Sequence, residues 1–270
     1  MITKPEYVAG TKDLVVAAKA LEAKMSQQLL ATKTLIESIK VAQQTAAEYH
    51  AGFEDLLSTT LARVGNTAVD HYDDVLGTEL TTRQKNQIVK EQILKQDREK
   101  YYGATLDQRL TGSRRMNAVR IRKSAHVGKS LDTKKLNLTR IFLHSYPFGA
   151  QVLLDQRIML GQSLKLEHMI GLAVAKKAGV EIVKWSLSER HPKRDICDDY
   201  AESVDKAVVK WLKKKDVDIS PQGLYFIDDV PEPPHPNCQC YLRMLKDKDL
   251  SPTIADRAWK WLKDLLGRLR

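Results

Sequence analysis

Between residues 11 and 49, apolar and small side chains recur in alternating steps of four and three: Leu14, Ala18, Leu21, Met25, Gln28, Thr32, Leu35, Ile39, Ala42 and Ala46. That is the period of one stripe along a long helix, and its heptad form suits either a coiled coil or a helix packed on its own domain. Packing within the chain is the expectation, because small and polar seam residues bury little surface. A second helix is expected between Gly52 and Gly65, with Phe53, Leu56, Leu57, Leu61 and Val64 on its apolar side. A third begins near Thr81, carries Ile88, Ile93 and Leu94, and ends near Tyr102 before Gly103, a residue suited to a helix stop.

From Gly112 to Asn137 the apolar period disappears (GSRRMNAVRIRKSAHVGKSLDTKKLN), which predicts a linker or extended arm. Periodicity returns at Leu138, breaks at Pro147 and Gly149, and runs helically from Ala150 to Ala178 with Gly179 as C-cap. The β-branched and aromatic run EIVKWSL, residues 181–187, reads as a strand. A helix over Asp198 to Lys214 and a turn at Ser220, Pro221 and Gly223 follow. Short strands are expected at Leu224 to Ile227 and at Cys240 to Leu245. Ser251 as N-cap and Pro252 at the first helical position open a last helix, striped by Ile254, Ala258, Trp261, Leu262, Leu265 and Leu269. Such a helix docks on its own domain or on a neighbouring subunit. The fold class is therefore α+β and predominantly α-helical. A helical region spans 1–112, a basic connector 113–140, a small α+β domain with a short sheet 141–245, and an amphipathic helix 246–270.

Charge changes this picture in one place. The chain of 270 residues carries a formal net charge of +10. Residues 101–150 alone hold ten basic side chains against Asp107 and Asp132. A localised excess of this size points to a polyanionic partner, nucleic acid first, although a solvated linker has the same composition. The ten are Arg109, Arg114, Arg115, Arg120, Arg122, Lys123, Lys129, Lys134, Lys135 and Arg140. Apolar runs of five or six residues fall far short of the ~20 that span a bilayer, so no membrane segment is expected. The opening MITKPEYVAG has no apolar signal core, so no secretion signal is expected either. Three cysteines cannot build a disulfide framework, which suits synthesis in a reducing cytosol.

All three cysteines lie between Trp185 and Leu245, in RHPKRDICDDYAE (190–202) and PPHPNCQCYLRML (233–245). Cys197, His235, Cys238 and Cys240 match the ligand count of a tetrahedral structural zinc. Reduced cysteines packed in a core, or a disulfide from Cys197 to Cys238 or Cys240, fit the same residues. Asp195, Asp198 and Asp199 beside His and Cys permit a metal-dependent nucleic-acid-processing enzyme on paper, and fit equally a helix N-terminus with carboxylates opposing the dipole. No phosphate-cradling or H-E-x-x-H motif occurs. The remaining histidines, His50, His71, His126, His144 and His168, stand singly and read as structural or solvent-facing.

The order Trp185-Ser186, His191-Pro192, Asp195-Ile196-Cys197-Asp198, then Pro234-His235-Pro236-Asn237-Cys238-Gln239-Cys240 resembles the phage Mu F-like head morphogenesis (minor capsid) proteins. The preceding helix, with Glu167 and an AKKAGV end, is similar as well, so the likeness covers roughly residues 140–245. Many members carry C-x-x-C in the first motif, where this chain has Cys197 alone. The resemblance implies a low-copy component of a tailed-phage virion head without catalytic activity, with multiple copies in the assembly. It would assemble in the host cytoplasm, contact portal or major capsid protein, and face packaged DNA.

Overall fold

In the computed structural model, which describes residues 4–100, 103–130, 148–187, 194–217, 219–231, 240–245 and 250, the long N-terminal stripe is carried by two helices and not one. Helix α1 (Lys4–Ala31) turns back through Thr32–Thr34 into α2 (Leu35–Leu76). The stripe keeps its phase across the turn, so periodicity cannot register it. Local hydrogen bonding makes the break. Thr34 Oγ1 accepts from Glu37 N–H at 3.2 Å, and Glu37 Oε2 accepts from Thr34 N–H at 3.3 Å and Lys33 N–H at 2.7 Å. This T-x-x-E box satisfies donors that a new helix N-terminus otherwise leaves bare. Those backbone bonds from Lys33 and Thr34 hold the Glu37 carboxyl below its usual range.

The antiparallel pairing of α1 and α2 buries Leu14, Met25, Leu29, Phe53, Leu57 and Leu61. Lys24 bridges Glu48 at 2.7 Å, and Thr67 Oγ1 donates to Glu6 at 2.8 Å. Gly52 and Gly65 do not bracket a separate helix. Both lie inside α2, which runs unbroken to Gly77 in the left-handed region (φ 60°). Close approach explains Gly171 better than conformation does, since a Cβ there would sit 2.7 Å from the Tyr72 ring.

Helix α3 (Thr82–Arg98) starts as expected, from a Thr81/Gln84 capping box, but ends four residues before Tyr102. The α2–α3 turn is pinned by Asp73, which accepts from Leu80 N–H at 2.9 Å and from Thr78 Oγ1, and pairs with Lys85 at 2.8 Å. Those contacts, the Leu80 N–H first, pull its carboxyl down to about 2. The expected extended arm is a further helix, α4 (Leu106–Ser130). Residues 131–140 of the basic connector, and the last helix over 251–270, lie outside the described residues.

Helix α5 (Phe148–Lys177) packs on α1, α2, α3 and α4 and forms the centre of the helical body. Gly179 (φ 72°) ends it, as expected. A three-stranded antiparallel sheet follows, β1 (Ile182–Ser186), β2 (Leu224–Phe226) and β3 (Tyr241–Leu245), in the order β2-β1-β3. All three strands fall where β-branched and aromatic runs predict them. Register places Val183 opposite Tyr225 and Met244, and Trp185 opposite Leu242. Central β1 is buried on both faces. Val183 and Trp185 join the helical core, while Ile182 joins Leu224, Leu245, Val208 and Leu212 in a second cluster. The stretch read as one helix over 198–214 is two, α6 (Ile196–Glu202) and α7 (Lys206–Lys214), each with its own aspartate N-cap. The α+β, mostly helical class stands.

Candidate functional site

Three elements distant in sequence meet beside β1. Trp185 is 1% exposed, Cys197 on α6 is 0%, and Cys240, which leads into β3, is 4%. The Tyr200 ring stands edge-on to Trp185 with centroids 5.2 Å apart, and His168 of α5 approaches the same indole at 5.8 Å. Tyr225 donates its hydroxyl to Tyr200 O at 2.7 Å. Gly223 (φ 68°) allows β2 to close on this corner, because a Cβ would lie 2.8 Å from Ala201 O. Cys197 of the first motif and Cys240, the last residue of the second, therefore share one buried core with Trp185.

Burial sets the state of His168: it drives the imidazole pKa down to about 4, partly opposed by the charge of Glu167 and by a hydrogen bond to the Cys240 backbone. A neutral imidazole at pH 7 suits a packing role between α5 and the sheet. The aspartates of the first motif are engaged in capping α6. Asp195 Oδ1 accepts from Cys197 N–H, and Asp198 Oδ2 from Asp195 N–H, each at 2.7 Å. Of the four candidate zinc ligands, Cys197 and Cys240 lie in this core, whereas His235 and Cys238 fall outside the described residues. Among the described residues no group of three or more His, Cys, Asp or Glu side chains could hold a metal ion.

A second constellation was not anticipated from the sequence. Asp155 of α5 is 0% exposed, yet it accepts from Tyr49 Oη of α2 at 2.8 Å and from Ser113 Oγ of α4 at 2.7 Å. Gln151 donates to Asp155 at 3.0 Å and accepts from Arg120 Nη1 at 2.7 Å. One turn along, Asn117 Nδ2 and His50 Nε2 are 3.0 Å apart. Burial lowers the His50 pKa, opposed by the charge of Asp155. A buried carboxylate is stable when several donors converge on it, so this network fastens α4 to α2 and α5 through polar contacts. Beside it a groove of about 610 Å³ opens between α2 and α4, floored by Ala46, Ala47, Ala51 and Ala118.

The network redistributes the ten candidate nucleic-acid contacts. Arg114 pairs with Glu54 and Arg120 with Gln151, while Arg109 is half-buried. Arg115, Arg122 and Lys123 are exposed. Lys129 stands in the last turn of α4, and Lys134, Lys135 and Arg140 lie outside the described residues. The signal that marks α4 is a helical stripe of Leu106, Leu110, Ser113, Asn117, Ile121 and Ser124, four of them buried. A search for apolar spacing passes over it because three of those four are polar. No family model, curated protein or solved structure matches the chain.

Proposed function

We propose that this chain is a structural component of a tailed-phage virion head, a minor capsid protein that associates with the portal or the inner capsid surface and acts by contact. One observation carries the reading. The described residues behind the resemblance to the Mu F-like family, Trp185, Cys197 and Cys240, are brought from three separate segments into one buried core. Side chains shielded in this way are placed for packing, which supports a role by contact over one by turnover. The competing reading, a metal-dependent nuclease, gains nothing from Asp195 and Asp198, whose carboxylates cap α6.

A structural zinc on Cys197, His235, Cys238 and Cys240 belongs to the same proposal. Elemental analysis of the purified chain tests it: stoichiometric zinc supports the site, and its absence makes the cysteines packing residues. For the function itself, particles assembled without the chain should show defective head maturation, DNA retention or infectivity. Normal infectious particles lacking it would overturn the reading. A nuclease assay with added divalent metal covers the alternative, because turnover lost on Asp195→Asn or His235→Ala would favour an enzyme.

A further inference from the structure

Because α4 is a helix fastened by its polar stripe, its cations divide by direction. Taking 100° per residue, Ser113, Asn117, Ile121 and Ser124 gather on the face toward α2 and α5. Gln108, Gly112, Arg115, Val119, Arg122, Lys123 and His126 gather on the opposite face. Arg115, Arg122, Lys123 and His126 on it are exposed, Arg122 at the rim where it also lines the groove against α2. From Gly112 to Ser130 the helix carries no Asp or Glu. Among the described residues no carboxylate forms an ion pair with Arg115, Arg122 or Lys123, whereas Arg114 has Glu54.

We infer that the outer face of α4 is a docking surface for the phosphate backbone of duplex nucleic acid, contacted through Arg115, Arg122 and Lys123. Eight residues of helix rise ~12 Å, about the distance over which one strand of a duplex presents three to four phosphates along its axis. The chemistry of the face favours phosphate over an acidic protein. Protein hot spots set arginines beside aromatic anchors in desolvated pockets, and this face has no Phe, Tyr or Trp, its Val119 being half-buried. Met116, an exposed apolar residue of α4, lies 100° around from Arg115 and 20° from Lys123, at the edge of the face. Among the described residues of this face there is no Phe, Tyr or Trp to offer a stacking platform for unpaired bases, so the fit is to duplex and is independent of base sequence.

This partner rests on the reading of the chain as a component of a DNA-filled head, but its test is separate. The full-length protein is titrated against a labelled random-sequence duplex at pH 7.5 over a range of salt concentrations. Three phosphate contacts predict a log–log salt slope near roughly −2.7. Arg115→Gln/Arg122→Gln/Lys123→Gln, at surface positions, should abolish measurable binding while leaving the helical circular dichroism intact. Arg115→Lys/Arg122→Lys should keep the slope, and Lys134→Gln/Lys135→Gln/Arg140→Gln should leave it within one unit. Retained binding in the first variant, loss confined to the last, or no duplex binding by the intact chain at low salt would each overturn the inference. Equal affinity for an acidic polypeptide such as polyglutamate would overturn it in favour of a protein partner. Absence of the chain from purified virions would sink the head reading and leave this result standing.

Discussion

The sheet corner and helix α4 are both buried against α5, by opposite chemistries. Around β1 the contacts are apolar and aromatic: Val183, Trp185, Leu242 and Met244 close over one another. Under α4, beside Ile121, Leu106 and Leu110, the contacts are polar: Ser113, Asn117, Arg120, Gln151 and Asp155. Apolar burial is non-directional and tolerates modest shifts, so cost follows the volume removed. A buried polar seam is directional, and its cost follows the partners left behind. The same body of α5 thus holds one neighbour by area and the other by geometry.

The largest expected effect is on the apolar side. Trp185→Ala should destabilise the fold by about 3–5 kcal/mol, the range for removing a large aromatic from a packed core. Urea unfolding measures it, and a loss under about 1 kcal/mol would mean that the corner is loosely packed. Asp155→Ala should come next, at about 3 kcal/mol, because the hydroxyls of Tyr49 and Ser113 and the Gln151 amide lose a buried acceptor. If it instead matched the cost of a surface substitution, the seam would not be what holds α4.

Acid should separate the two regions. The folded-state pKa of His168 is depressed to about 4 by burial, so between the unfolded value near 6.5 and 4 the unfolded chain binds more protons. Its contribution to stability is complete above pH 6.5 and is progressively lost as pH falls toward 4. His168→Phe should flatten the pH dependence of the melting temperature across that window, and an unchanged slope would exclude His168 as its source. The smallest contrast is between two serines on one stripe. Ser113→Ala removes a bond to Asp155 and should cost about 1–2 kcal/mol. Ser124 donates only to Arg120 O within its own helix, at 3.0 Å, so Ser124→Ala should stay within about 0.5 kcal/mol. Equal costs would show that the seam's polarity, and not its pairing with Asp155, matters.

Taken alone, the sequence determined what short-range pattern can encode. The β-branched run at Ile182–Ser186, the strands at Leu224 and Tyr241, the span of α5 and its stop at Gly179 all follow from propensity and glycine chemistry acting within a few residues. That Leu14, Met25, Ala42 and Ala46 form an apolar stripe needing cover was legible too, but it reads as one helix and not as the pair α1 and α2. Their junction was half legible: Thr34-Leu35-Ile36-Glu37 spells a capping box, but the stripe passes through it in phase. The motif residues Trp185, Cys197 and Cys240 were visible as candidates, while their convergence on His168 was not. Only the tertiary structure decided that residues 106–130 form a helix and that its cations divide between an inner network and an outer face. A polar stripe is worth burying only when complementary donors and acceptors wait opposite it. Here those groups, His50, Gln151 and Asp155, are contributed by residues some thirty to seventy positions away in the chain, beyond the reach of any local pattern.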